Sequence, residues 1–182
     1  GERIREQEIL AMKMQVHDNL GRSLLTIRRI LENKENMSHM NKQLDVLKEQ
    51  VYILTNMTVE NLEDLYQNTG KHARELGIEI HLEGEGPKNS TYRLLLDRVI
   101  RECVTNCARH AHGSEVNVSI EEDPEAYNIR ITNNGELPKP KAREGGGLSS
   151  LRRALEAEGC TMVTVFEPAF CLMMRMPKRQ SE

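Results

Sequence analysis

Four polar side chains near the middle of the chain, Glu102, Asn106, Arg109 and His110, stand at spacings of 4, 3 and 1. On an α-helix that spacing gathers them on one face. An amide oxygen on Asn106 can ligate magnesium, which takes oxygen ligands. The planar guanidinium of Arg109 matches a phosphate. The plain alternative is a solvated helix face. Downstream, ITNNGE carries a strand pattern into an Asn-Asn-Gly turn at Asn133 and Gly135, by itself an ordinary hairpin or loop signal. Then EGGGLSSLRRAL sets Gly145 and Gly147 directly before a helical pattern that opens at Leu148. Glycines permit close backbone approach, and a helix start offers unpaired N–H groups to an anion. Its plain alternative is a flexible hinge. The order of the pieces points to a nucleotide site more strongly than any one of them. Far upstream, QVHDNLGRSL places His17 directly before Asp18 on a helical pattern. That histidine is packed, solvated or chemical, and its neighbours alone do not decide.

The elements that must position these residues fall into two halves. The chain has 182 residues, 38% hydrophobic and 3% aromatic, with no Trp, so any core is aliphatic and Met-rich. At 29% charged it reads as a soluble chain, with no apolar run near the roughly 20 residues that span a bilayer and no signal peptide. Gly1 is expected to be a remnant of a longer chain. A net charge of −3 without a basic block argues against nucleic acid. Cys103, Cys107, Cys160 and Cys171 are scattered without a CxxC, which fits buried thiols better than zinc. From Glu2 to about Asn33 the pattern is helical, with Leu20, Leu24, Ile27 and Leu31 on one stripe. NKENMS interrupts it, and Met40, Leu44, Leu47, Val51 and Leu54 form a second stripe. This is a helical hairpin, and two such stripes need a second copy to cover them, so a homodimeric four-helix bundle is expected. Beyond about residue 57 the grammar changes. A helix from Thr58 to Gly77, a strand in IEIHLEGEGP, a long helix over 90–110, strands EVNVSI and YNIRIT, a helix over 148–158, and strands TMVTVF and FCLMMRM predict one mixed or antiparallel sheet with helices on one face. The tail PKRQSE is expected to fray.

ECVTNCARHA, ITNNGE and GGGLSSLRRALEAEG resemble the N-box and the two glycine boxes of the Bergerat-type ATPase fold, shared by gyrase-type topoisomerases and sensor histidine kinases. VHDNLGRSL resembles the phosphoacceptor box of the kinase subfamily that includes bacterial nitrate sensors and a membrane-fluidity thermosensor. The resemblance runs through nearly the whole chain in the right order. It implies an α+β protein: residues 1–57 a dimerisation and phosphotransfer hairpin, residues 58–182 an ATP-binding α/β sandwich. It implies a protein-histidine kinase. His17 would take the γ-phosphoryl group of ATP, a reaction open to a neutral imidazole, and Asp18 would orient the ring or accept its proton. The phosphoryl group would then pass to an aspartate of a response-regulator receiver domain. Asn106 would ligate Mg2+, supported by Glu102. Arg109 would meet phosphate and His110 the nucleotide. Asn133 and Gly135 would border the base, while Gly145, Gly147 and Leu148 would admit the phosphates. Residues 136–144 would form a short lid over ATP. The kinase would be cytoplasmic, attached to a membrane only through a region outside this chain. Three departures from the family pattern stand out. Asn133 occupies the place of an Asp that accepts from the adenine amino group. The second glycine of that box is missing. Arg22 stands where the subfamily often carries Gln or His, which puts phosphatase activity in doubt. The rival readings are a non-catalytic dimeric scaffold with the same fold and a sigma-factor-regulating serine kinase. The latter lacks a phosphoacceptor hairpin.

Overall fold

A computed structural model of the chain describes residues 2–33, positions 40, 43, 44, 47 and 51, and residues 65–179. It divides into two compact units, residues 1–63 and 64–182. The fold class is α+β, as expected. The expected domain boundary at 57/58, the connection NKENMS beyond Asn33, and the proposed cap Thr58 lie outside the described residues.

The first unit opens with α1 (Glu2–Asn33). Met40, Gln43, Leu44, Leu47 and Val51 are also helical. Within α1 the buried line is Ile9, Val16, Ser23 and Ile30, a heptad repeat. The expected stripe lies elsewhere: Leu20 and Ile27 are half-buried, and Leu24 and Leu31 are exposed, together with Leu10 and Met14. That exposure is what a stripe without a partner inside the chain shows. Steps of 4 and 3 describe any seam of an amphipathic helix, and this helix carries two, of which one chain buries one.

The second unit contains α2 (Leu65–Glu75), β1 (Glu79–Glu83), α3 (Ser90–Asn106), β2 (Glu115–Glu122), β3 (Ala126–Asn133), α4 (Gly146–Ala157), β4 (Thr161–Val165) and β5 (Cys171–Pro177). The sheet order is β1-β2-β3-β5-β4, with β1 and β2 parallel and the other pairs antiparallel. Alternation sorts each strand by face. Val118, Ile131 and Leu172 make one buried row, and Ile120, Ile129, Met174 and Met162 the next. Opposite them pack Leu94, Leu95, Val99, Ile100 and Val104 of α3 and Leu148, Leu151 and Leu155 of α4. Each such buried aliphatic side chain contributes about 1.5–3 kcal/mol. The other face, with Arg130, Met173 and Val163 in one row, is exposed.

Helix ends follow from sequence. Asn89 caps α3 by accepting from the Tyr92 N–H at 3.0 Å. Gly77, at φ +77, ends the turn after α2. The buried carboxylate of Asp97 accepts from Thr69 of α2 and from Arg101 Nε (3.1 Å), tying α2 to α3. The tail is held where fraying was expected. The Lys178 N–H donates to Glu125 O at 2.7 Å, and Arg179 stacks on the Tyr92 ring 4.7 Å from its centroid and pairs with Glu158. Residues 180–182 lie outside the described residues. No described helix is long and apolar enough to cross a membrane.

Candidate functional site

The long helix expected over 90–110 changes character at its end. After Asn106, residues Cys107–Ala111 form a π-helical turn, closed by His112 at φ 50. Single π turns often sit at functional sites. The wider turn alters which residues share a face. Asn106, His110 and Ala111 line a cavity; Arg109, three residues beyond Asn106, is exposed and does not. The expectation that Arg109 shares the face of Asn106 and His110 rested on α spacing, which stops at Asn106. Among the described residues the Asn106 side chain has no protein hydrogen-bond partner, and it provides no cap.

The Asn-Asn-Gly turn is fastened to this helix end. Asn134 Oδ1 accepts from the N–H groups of Ser114 (2.9 Å) and Glu115 (2.8 Å), and its amide donates to Ser114 Oγ. Asn133 Oδ1 accepts from the Gly135 N–H at 2.9 Å. The Glu136 N–H donates to Ala111 O at 2.6 Å. A Cβ on Gly135 would lie 2.5 Å from Ala111 Cβ and 2.6 Å from its carbonyl oxygen, so only glycine fits. Gly135 thus shapes the wall from behind; Asn133 lines the cavity itself.

The glycine-rich helix start is anchored by a carboxylate that sequence reasoning passed over. Glu144 accepts from Arg152 (Nη2 at 2.6 Å, Nη1 also), from Thr164 Oγ1 (2.6 Å) and from Ser149 Oγ (3.1 Å). Burial pulls its pKa up, but the Arg152, Thr164 and Ser149 donors outweigh burial and hold it below the ordinary value. Gly145 is the N-cap of α4, extended at φ −77, ψ 172, with no side-chain cap. The first-turn N–H groups therefore have no capping side chain. Gly145 and the buried Leu148 line the cavity; Gly147 faces Glu102. A Cβ on Gly147 would lie 2.5 Å from Glu102 Cδ, so the carboxylate stands against the start of α4, where the helix dipole favours it.

These pieces enclose a cavity of about 530 Å³, within the size range of small-molecule sites. Pro138, Lys139 and Arg143 also line it. So do Phe166 and Phe170, the only two Phe in the chain, their ring centroids 5.7 Å apart. Sequence reading missed both. Their signal is scarcity: in a chain with 3% aromatics, two Phe four residues apart flank one hairpin turn.

On the first unit, His17 and Asp18 have side chains 76% and 73% exposed, with His17 Nδ1 3.9 Å from Asp18 Oδ1. The ring is open to solvent rather than packed. Arg22 donates to Asn19 Oδ1 at 3.0 Å. Cys103, Cys107 and Cys160 are buried, and burial pushes the Cys160 thiol up to about 11.

No family model and no curated protein matches the sequence. Solved structures do match the fold. A blue-light activated histidine kinase of Erythrobacter litoralis aligns at TM-score 0.56 and 12% identity, over 93% of this chain and 59% of that one. The present chain thus spans less than two thirds of that kinase. Its isolated histidine kinase domain aligns at TM-score 0.53 and 12% identity, over 97% and 94%. The Acinetobacter baumannii histidine kinase AdeS aligns at 0.52 and 14%, over 89% and 94%. In architecture this chain has the fold of a histidine kinase core.

Proposed function

We propose that the chain is an ATP-dependent protein-histidine kinase core that phosphorylates its own His17 and passes the group to a response-regulator aspartate. The observation that carries this reading is the single cavity wall shared by Asn106, His110, Asn133 and the N-terminus of α4. Its 530 Å³ suit a nucleotide. An uncapped helix start on a cavity that Lys139 and Arg143 also line suits its phosphates. The unpartnered Asn106 amide suits Mg2+, which needs one or two protein oxygens when phosphates and water supply the rest. Bound there, the ion would neutralise charge on the phosphates.

The chain's own residues do the remaining work. Glu102 sits beside the α4 start and supports Asn106 one turn on. The Glu144 clamp holds the glycine turn in place. Phe166 and Phe170 give the cavity apolar wall that helps exclude water. Residues 136–144 act as the lid. His17 is exposed, so its imidazole is reachable as nucleophile, and Asp18 orients the ring or takes its proton. Exposed Leu10, Met14, Leu24 and Leu31 support the homodimer. With Arg22 in place of Gln or His, regulator dephosphorylation is slow and the chain is mainly a phosphate donor. The kinase works in the cytoplasm, bound to a membrane, if at all, through a region outside this chain.

Incubation with γ-labelled ATP and magnesium tests the reading. Acid-labile, base-stable label on the protein supports it. Nucleotide binding without label would leave a dimeric scaffold.

A further inference from the structure

We propose that Lys13 is a catalytic residue of the transfer to His17, its ammonium group meeting the phosphoryl group as that group arrives on the ring. The inference rests on the reading of His17 as acceptor. A hollow of about 280 Å³ on the first unit is lined by Lys13, Met14, His17 and Asp18, all on α1. Residues four apart on a helix are neighbours. Helical side chains also lean toward the N-terminus, so a residue covers the turn before its own Cα. The turn before His17 is the one that carries Lys13 and Met14. One turn after His17 stands Gly21, which has no side chain and where a Cβ would meet nothing within 4 Å. That side of the ring is open to an incoming group.

Charge sorts the four lining groups. Met14 is apolar and Asp18 is an acid, so Lys13 alone brings a fixed positive charge to the hollow. The other cation close to His17 in sequence is Arg22, which is engaged by Asn19 Oδ1 at 3.0 Å. Among the described residues the Lys13 ammonium has no hydrogen-bond or ion-pair partner. In the transfer, a ring nitrogen of His17 gives its lone pair to the γ-phosphorus of ATP and an N–P bond forms. The bond from that phosphorus to the bridging oxygen breaks, and its electron pair leaves with ADP. The proton on the other ring nitrogen goes to Asp18 or to water. Throughout, negative charge is spread over the three oxygens of the moving group. Lys13 keeps its three N–H donors and acts on those oxygens by charge and hydrogen bonding. An ammonium already standing beside the acceptor ring stabilises that charge where the group lands.

The initial rate at which the full chain takes label from γ-labelled ATP with magnesium, measured across ATP concentrations, tests this. Lys13→Gln keeps the helix propensity of lysine, so α1 is undisturbed. It should lower the saturated rate about fivefold, the upper end for a solvent-exposed charge contact. The KM for ATP should stay at the parental value, because the nucleotide cavity belongs to the other unit. Lys13→Arg keeps the charge and should restore most of the rate, and Lys13→Glu should be slower than Lys13→Gln. A parental rate in Lys13→Gln, or a Lys13→Arg no faster than Lys13→Gln, would overturn the inference while leaving His17 as the acceptor. A loss that appears in KM rather than in the saturated rate would overturn it too. A parent chain that takes no label, or takes it on a residue other than His17, would overturn the underlying reading as well.

Discussion

Gly135→Ala isolates what the Asn-Asn-Gly turn does. A Cβ there lies 2.5 Å from Ala111 Cβ, 2.6 Å from Ala111 O and 3.0 Å from its carbonyl carbon. The obstacle includes backbone, so no rotamer change removes it. Either the π turn or the Asn-Asn-Gly turn must shift. Such overpacking costs about 1–3 kcal/mol. Two hydrogen bonds cross this contact, Gly135 N–H to Asn133 Oδ1 and Glu136 N–H to Ala111 O. Each contributes about 0.5–1.5 kcal/mol net. A loss of about 3 kcal/mol follows, which lowers Tm by roughly 10 °C for a domain of this size. Ala111 and Asn133 both line the cavity, so nucleotide affinity should fall at least about tenfold, one hydrogen bond's worth. Gly145→Ala is the control. That glycine also lines the cavity, but its backbone is extended and a Cβ meets nothing within 4 Å. Its Tm should fall by less than half as much, since the change costs only the N-cap preference of Gly over Ala. Calorimetric unfolding and nucleotide titration read both effects. Gly135→Ala with parental Tm and affinity would refute the reasoning.

Three further outcomes are expected. Glu144 has its folded pKa below the ordinary 4.5, so its stabilisation is complete above that range and is lost as pH falls through the depressed value. Glu144→Gln should lower the denaturant midpoint at pH 7 and flatten the acid limb of the stability curve; an unchanged acid limb would show that the clamp carries no linkage. Asn106→Asp should alter magnesium-dependent nucleotide affinity about tenfold or more while binding without magnesium changes less, and equal effects with and without the ion would remove Asn106 from the metal site. Leu24→Glu with Leu31→Glu puts charge on the exposed seam of α1, 50% and 67% exposed in the single chain. Light scattering should then report monomer where the parent is dimeric, and an intact dimer would place the interface elsewhere.

Much of this was legible in the residues. Strand alternation placed β2, β3 and β5 with their inward faces, because period-2 patterns survive whatever packs on them. The spacing of Glu102 and Asn106 survived too, since both stand on regular α-helix. Arg109 did not, because nothing in CARHA announces a π turn and one extra residue per turn swings it outward. Gly135 and Gly147 were legible as special but not as packing glycines, since what excludes a side chain there is Ala111 in one case and Glu102 in the other. The Glu144 clamp joins residues 5, 8 and 20 positions apart, which no local pattern connects. The orientation of Asn133 depends on one backbone N–H two residues on.

The central claim is that the cavity of the second unit charges His17. Peptide mapping of protein labelled from γ-labelled ATP tests it most directly, with His17→Gln alongside. The account predicts one acid-labile labelled peptide, containing His17, and none in His17→Gln, whose nucleotide affinity stays at the parental value because His17 and the cavity belong to different units. Label that persists in His17→Gln, or that maps to any other residue, would contradict it.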